Sequence, residues 1–585
     1  MNFEGLQIEG DIMADEATLV KYSRDASIFL VRPEAVVFPK NSDDIKKLVK
    51  WVSENKSAYP ELSLTARAAG TDMTGGPLNE SIILDTTKYL NQILELKLAR
   101  GTLPSNGRVP LASDGYAVTE PGVYYKDFEA ETKKKGLLLP SYPASKDIAA
   151  MGGIINNNAG GEKSLLYGKT EKYVQELTMV LSDGNEHEFK SLNIQELEAK
   201  KAQQNFEGQI YRQMHELIEQ NHDAIQKAKP DVSKNSAGYN LWDVLVPMEE
   251  IDPVRSRARD GIASPSDRGA ATSYGMNLTK LFVGAQGTLG IMTKAKLELI
   301  KPKKYSKLLV IFLKDLAPLG KLVNEVLRFK PESFECYDDQ TLKIAVEYLP
   351  QLIKQLKGGI FSILLKFIPE LKMALIGGIP KLVLIAEFTS DEEYDAFSRL
   401  AEAEAEIIKF SGVQTHRVTD TVESDKYWII RRESFNMLRH HAGVKHTAPF
   451  IDDTIVHPSQ LPEFLPKLNK LISQYEGLTY TIAGHAGDAN FHVIPLMDFH
   501  DEANRKAIPE LSEKVYDLVA SMHGSITAEH NDGIIRTPYL PKMYLPEMIE
   551  LFKRTKQIFD PQNIFNPGKK VGGSLQYSLN HIIWR

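Results

Sequence analysis

Cysteine is almost missing from this sequence: Cys336 is the only one among 585 residues. An internal disulfide is therefore impossible, and neither a cysteine-rich zinc site nor an iron–sulfur cluster can be built within the chain. Any redox group it carries must be a bound organic cofactor or belong to a separate partner. An excess of positive charge is missing too. The formal net charge is -7, which argues against a general nucleic-acid binder, since that activity needs a basic surface to neutralise phosphates. No stretch reaches the roughly 18–20 uncharged apolar residues that a membrane span requires. The opening residues lack a basic region followed by an apolar run, so no secretory signal is expected and a cytoplasmic address is the default. No period of about 20–50 residues recurs, which excludes a solenoid or propeller.

What is present describes an ordinary globular protein, 42% hydrophobic and 25% charged, too long for one core and expected to divide into about two or three domains. The first half alternates short β-rich runs with helical patterns. Residues 35–38, 62–67, 81–85, 116–119 and 177–181 read as strands, and Ser42-Asp43-Asp44 offers an N-cap for a helix with Ile45, Leu48, Val49 and Val52 on its apolar face. The segment 195–229 reads as a charged helical surface excursion, and 281–284 and 291–300 return to strand. Lys301-Pro-Lys-Lys reads as a hinge into a second domain, with strands near 307–313 and 381–388. An amphipathic helix is expected over 545–559. The most apolar segment, 358–385, is interrupted by Lys366, Glu370, Lys372 and Lys381, and its spacing suggests an amphipathic helix kinked at Pro369. It suits either an anionic membrane surface or packing on its own domain or a second subunit.

Three glycine-rich loops carry the strongest chemical signal. Arg67-Ala-Ala-Gly-Thr-Asp-Met-Thr-Gly-Gly-Pro77 follows a strand directly. Glycines there admit positive φ and remove side-chain bulk, so backbone N–H groups can converge on a pyrophosphate; a tight turn with no ligand would use the same residues. Met151-Gly-Gly-Ile-Ile-Asn-Asn-Asn-Ala-Gly-Gly161 has two glycine pairs flanking three asparagines, residue types that tolerate left-handed backbone. Gly284-Ala-Gln-Gly-Thr-Leu-Gly-Ile291 sits between two expected strands.

In order and spacing, over roughly residues 30–300, these segments resemble the FAD-binding domain of the vanillyl-alcohol oxidase and p-cresol methylhydroxylase superfamily. A Rossmann fingerprint is not seen. The resemblance implies FAD held in an extended pose between two subdomains. The contacts it implies are Ala69, Gly70, Thr71, Asp72, Gly75 and Gly76 in the first loop, with Pro143 and Ser145 before the second. Gly152, Gly153, Asn158, Gly160 and Gly161 follow in the second loop, and Gly287, Gly290 and Ile291 in the third. Some relatives tether the flavin through a histidine in the first loop; positions 68–76 contain none, so FAD is expected to be noncovalent. Many relatives have glutamate where this chain has Gln286.

A second constellation lies in the C-terminal half. Ile482-Ala-Gly-His-Ala-Gly-Asp-Ala-Asn-Phe-His-Val-Ile494 places His485 and His492 seven residues apart. On one uninterrupted strand an odd spacing puts them on opposite faces, but Gly487-Asp488 signals a turn that lets both imidazoles converge. Ala528-Glu-His-Asn-Asp-Gly533 follows later. Two histidine nitrogens and one carboxylate oxygen suit a divalent metal with positions left open for substrate.

The histidine segment resembles the signature of the FAD-linked 2-hydroxy-acid dehydrogenases, including D-lactate and D-2-hydroxyglutarate dehydrogenases and glycolate oxidase subunits. The resemblance implies a zinc or manganese ion bound by His485, His492 and Glu529, and a base, His530, that takes the hydroxyl proton while flavin N5 takes the hydride. Asn490 would contact substrate or hold the loop. Within the family-like Tyr427-Trp-Ile-Ile-Arg-Arg-Glu433, Arg431 or its neighbour Arg432 is expected to bind the substrate carboxylate, with Lys445 the second candidate. The closing Asp560-Pro-Gln-Asn-Ile-Phe-Asn-Pro-Gly-Lys569 resembles the terminal motif of the same group, which implies a flavin contact by Asn566.

The fold expected on this basis is α+β: a two-subdomain p-cresol-methylhydroxylase-type FAD-binding domain over 1–300, an α+β substrate or cap domain with an antiparallel sheet over 301–510, and a C-terminal helical segment, 511–585, that returns to the flavin and completes the active site. The expected activity is oxidation of a small, D-lactate-like 2-hydroxy acid, with electrons passed to a quinone or redox protein. A membrane surface, reached peripherally from the cytoplasm, and a homodimer stay open as further partners. An oxygen-using oxidase and a non-catalytic electron-transfer subunit are the competing readings.

Overall fold

A computed structural model of the chain describes residues 3–98, 114–247, 274–347, 379–418, 423–432, 445–475 and 478–583. Three sheets organise them. The first runs in the order Asp11–Met13, Ala35–Phe38, Ile82–Asp85, Leu64–Arg67. Its last three strands are parallel. Ala35–Phe38 and Ile82–Asp85 are buried at every position, as apolar runs covered on both faces should be. The helix Ser42–Asn55 buries Ile45, Leu48, Val49 and Val52 as its periodicity predicts. Its cap is Asn41, not the Ser-Asp-Asp triplet. Asp44 turns inward instead and accepts the backbone N–H groups of Glu9, Gly10 and Lys40, which binds the N-terminal arm to the sheet.

The second sheet has seven strands, with Gly115–Thr119, Ile291–Leu299 and Val174–Val180 adjacent near its middle, all antiparallel. One expectation fails here. Residues 281–284 are not a strand: Thr279–Phe282 is a short helix. The Asn277 side chain accepts from both the N–H and the hydroxyl of Thr279, a local bond that starts a helical turn and overrides the β-prone Leu-Phe-Val. The segment 195–229 also differs from a solvated excursion. Its helices Phe206–Gln220 and His222–Ala228 bury Ile210, Tyr211, Met214, Leu217 and Ile225 in the core beneath this sheet.

The third sheet, of eight strands, is antiparallel throughout and centres on Leu382–Ser390, Ser333–Asp338 and Thr479–His485. The exposed Lys301-Pro-Lys-Lys link joins it to the second sheet. The helix Glu502–Ser521 packs under the third sheet and runs through the expected 510/511 boundary. Helix Pro546–Phe559 returns to the other side, burying Leu551, Phe552 and Phe559 in the core of the second sheet. The apolar segment 358–385 lies outside the described residues up to 378, and its end belongs to the strand Leu382–Ser390. Among the described residues no helix is long and apolar enough to cross a membrane.

Candidate active site

The glycine-rich loops are stitched to one another by side chains. Asp72 Oδ2 accepts from Thr74 N, Thr74 Oγ1 and Gly76 N, closing the first loop on itself. Its Oδ1 accepts from Asn157 Nδ2 at 3.0 Å, joining that loop to the second. Asn156 Oδ1 accepts from Gly287 N at 3.1 Å, which brings in the third. Two glycines show why a side chain is excluded. Gly70 has φ +69°, and a Cβ there would lie 2.3 Å from Arg67 Nη2; a Cβ on Gly161 would lie 2.1 Å from the Tyr142 carbonyl oxygen. Gly153 differs, because its Cβ would meet only Ala68 Cβ at 3.7 Å. Its smallness serves the space beside it.

That space is a cavity of about 760 Å³. Ala69, Gly70, Thr71 and Asp72 line it, with Pro143, Ser145, Gly153 and Gly160. The opposite wall comes from the cap and C-terminal segments: Arg431, His485, His492, Glu529 and His530. A narrower crevice of about 90 Å³ continues along the first loop, between Gly76, Gly152 and Gly287. The two halves of the chain touch at this point, since a Cβ on Gly160 would fall 2.8 Å from Glu529 Oε1.

Other residues expected at the site sit behind these walls. Gly75 packs on Phe29 and Ile534, and Asn158 bonds Glu171. Gly161, Gly290 and Ile291 belong to the layer beneath the lining. Asn566 is fully buried; its amide donates to the carbonyls of Gly76 and Gln286 and accepts from Thr65 Oγ1, bracing two glycine loops from the rear. Asn490 is likewise buried and donates to Asp453 Oδ1 at 3.0 Å, holding the loop. Lys445 does not line the cavity.

The histidines stand on a hairpin. Strands Thr479–His485 and Asn490–Met497 pair so that Ala483 faces His492 and His485 faces Asn490, with the turn at Ala486–Asp488. The rings of His485 and His492 are 5.2 Å apart, and those of His492 and His530 stack at 5.0 Å and 9°. Each imidazole has a carboxylate at Nδ1: Glu335 at 2.7 Å from His485, and Asp452 at 3.1 Å from His492 and 2.7 Å from His530. Ligand atoms of His485, His492 and Glu529 lie within 4.8 Å of one another, a donor set that fits a divalent cation. A second triad, Asp452, His492 and His530, meets the same distance.

Burial opposes charge on every group here, and specific partners decide the outcome. For His485, Glu335 and Glu529 outweigh burial and raise it to about 9. For His530, Asp452 and Asp453 do the same, again to about 9. For His492 burial prevails over Asp452, and its affinity for a proton falls. Glu529 is held well below the usual carboxylate range by His485 and Lys234 against its burial.

Several residues of this environment escape sequence reasoning. Lys234, fully buried, lies 2.5 Å from Glu529 Oε1 and 2.9 Å from Asp488 Oδ2. Glu335 accepts from Arg431 Nε at 3.0 Å while holding His485. Asp453 Oδ2 accepts the backbone N–H groups of Glu529 and His530. Glu162 grips Arg432 through both oxygens at 2.9 and 2.5 Å and accepts from the Tyr142 hydroxyl. The available signal was an acid inside an apolar run, as in Ser-Phe-Glu335-Cys-Tyr and Phe-Ile-Asp452-Asp-Thr, since a buried acid needs a partner.

Residues 33–190 match the family described as FAD binding domain, and 302–570 match FAD linked oxidases, C-terminal domain. D-2-hydroxyglutarate dehydrogenase of Pseudomonas putida is 26% identical over 564 residues, 96% of this chain and 50% of that protein. The chain thus spans about half the length of the curated relatives it matches first. Glycolate oxidase subunit GlcD of Bacillus subtilis is 24% identical over 96% of this chain and 95% of its own. D-lactate dehydrogenase of Archaeoglobus fulgidus is 24% identical over 94% of this chain and 95% of its own. Among solved structures, 4-ethylphenol oxidase from Gulosibacter chungangensis has TM-score 0.64 at 15% identity, covering 97% of this chain and 95% of its own. For p-cresol methylhydroxylase the TM-score is 0.62 at 15% identity, with 97% and 94% covered. With the FAD binding domain and the C-terminal domain of the FAD linked oxidases matched in sequence order, the chain belongs to the FAD-linked oxidases, and it is similar along its length to D-2-hydroxyglutarate and D-lactate dehydrogenases.

Proposed function

We propose that the protein oxidises a small, D-lactate-like 2-hydroxy acid to the 2-oxo acid, using noncovalent FAD and passing the electrons to a quinone or protein acceptor. The supporting observation is that the glycine loops and the histidine cluster line one cavity. FAD suits the backbone lining of Ala69–Asp72, Gly153 and Gly160, with Gly76, Gly152 and Gly287 along the narrower crevice. When bound, it supplies the acceptor for the substrate's hydride. A divalent ion, zinc or manganese, suits His485, His492 and Glu529, and would supply the positive charge that acidifies the substrate hydroxyl and keeps His530 neutral.

The chain's own residues then do the rest. Arg431 lines the cavity and takes the substrate carboxylate, with its guanidinium fixed at one side by Glu335. His530 accepts the hydroxyl proton at its cavity edge. Lys234 and Asp453 fix Glu529, one through its carboxylate and the other through its backbone. The test is His530→Ala under anaerobic conditions with a panel of D- and L-2-hydroxy acids, with and without chelator. The variant keeps its yellow FAD but loses bleaching by hydroxy acid, by about 10²–10⁴-fold in rate. Bleaching at the parent rate would remove His530 from the role of base.

A further inference from the structure

Beside the histidines the cavity wall turns apolar. In the hairpin of Thr479–His485 and Asn490–Met497, His485 opposes Asn490, Ala483 opposes His492 and Thr481 opposes Ile494. Directly opposed residues of an antiparallel pair share a face, and every second residue along a strand returns to it. Ala483, His485, His492 and Ile494 therefore stand on one face of the cap sheet, and all four line the cavity. One pleat repeat, about 6–7 Å, carries the wall from His492 to Ile494. We infer that Ala483 and Ile494 form the subsite for the substrate's side chain, and that this subsite selects a 2-hydroxy monocarboxylate whose hydrocarbon chain is longer than methyl.

The inference rests on the activity proposed above and adds the substrate group that the histidines and Arg431 leave unassigned. Ala483, small and next to His492, leaves room for the chain, and Ile494 meets its far end. Behind Ala483 lies an apolar cluster that includes Val383, Ile385 and Trp428, so a methylene group placed here leaves water for hydrocarbon.

A second carboxylate does not suit this wall. Among the described residues four arginines line the cavity. Arg24 and Arg67 belong to the flavin-binding side, where Arg67 donates to the carbonyls of Tyr22 and Arg24. Of the two on the cap, Arg431 is assigned to the carboxylate at C1. Arg432 is gripped by both oxygens of Glu162 and laid over the Trp428 ring, so its charge is matched within the protein. A dicarboxylate would have to displace buried Glu162 or leave its own distal charge against Ala483 and Ile494.

The experiment titrates the FAD-loaded protein with pyruvate, 2-oxobutyrate, 2-oxovalerate and 2-oxoglutarate by calorimetry, which reads binding without turnover. Anaerobic flavin reduction by the corresponding 2-hydroxy acids is followed in parallel. Affinity is expected to rise about fourfold with each methylene from pyruvate to 2-oxovalerate, and 2-oxoglutarate to bind about 100-fold more weakly than 2-oxovalerate. Ile494→Ala flattens the rise to under about twofold per methylene, and Ile494→Lys moves the preference toward 2-oxoglutarate by about tenfold or more. A flat parent series, a series led by 2-oxoglutarate, or an Ile494→Ala protein with the parent's slope overturns the inference. If Ile494→Ala does not fold, Ala483→Val decides: a greater loss for 2-oxovalerate than for pyruvate supports the subsite, and equal losses refute it. The expected binding order with no bleaching by any hydroxy acid removes the proposed activity and leaves the subsite standing. Bleaching led by 2-hydroxyglutarate keeps the activity and removes the subsite, and a parent that binds none of these ligands overturns it too.

Discussion

The Glu162–Arg432 pair joins the second glycine loop to the cap and should be measurable as an energy between the two halves. Burial alone would push the Glu162 carboxyl up, but Arg432 outweighs it and brings the group down from 4.5 to about 2. That displacement corresponds to roughly 3 kcal/mol of favourable interaction with the ionised form. Arg432 keeps 31% of its side chain exposed, so water replaces part of the loss and about 2 kcal/mol is the expected coupling. Arg432 also covers the Trp428 ring, a contact that a single substitution cannot separate from the ion pair. A double-mutant cycle of Arg432→Ala and Glu162→Gln removes that ambiguity. The assay is urea unfolding of the FAD-loaded protein, followed by flavin and tryptophan fluorescence. A carboxyl lowered in the folded state stabilises fully above its unfolded value and loses that contribution as pH falls toward the folded one. The coupling should therefore be constant above pH of about 5 and shrink below it, toward about 2. A coupling under about 0.5 kcal/mol at neutral pH, or one that grows on acidification, would refute the reasoning.

Two other outcomes follow from local geometry. Gly153→Ala should affect folding and cofactor binding in opposite directions. The residue lies within the helix Met151–Asn156, and its new methyl meets only Ala68, so the apoprotein should gain about 0.5–1 kcal/mol, while FAD affinity drops by about tenfold or more (~1.4 kcal/mol) because the methyl enters the cavity. A parallel change in thermal melting and FAD titration would contradict this. Cys336 is buried in the middle of the cap sheet, and burial raises its thiol above the ordinary range. Labelling by a thiol reagent should proceed no faster than opening of that sheet as read by amide exchange, and rapid labelling of the native protein would show that the cap is looser than its hydrogen bonds imply.

Much of the fold was legible because hydrophobic pattern and strand length agree where both faces of a strand are covered. The buried strands 35–38 and 82–85 are examples. The helix at 279–282 was not legible, because one side-chain oxygen, that of Asn277, accepting from the N–H and hydroxyl of Thr279, decides it against local propensity. At the site, His485 and His492 could be paired from sequence because an odd spacing across a Gly-Asp turn is what a hairpin needs. Lys234, Glu335 and Asp452 could not be paired with them. They arrive from three distant segments, and nothing in their local spacing records that a buried ammonium must meet Glu529 and two buried carboxylates the histidines. Arg431 was singled out by family likeness and lines the cavity, but its partner Glu335, 96 residues earlier in the chain, was not singled out.

Asn566 has a consequence for the order of events in the cell. Its side chain spans three pieces of the flavin-binding half, Thr65, Gly76 and Gln286, the first 501 residues upstream. A nascent polypeptide that has not yet reached residue 566 has the glycine loops but not the amide that braces them. Closure of the nucleotide cradle is therefore expected only once the segment around Asn566 has been made and has folded back onto the glycine loops.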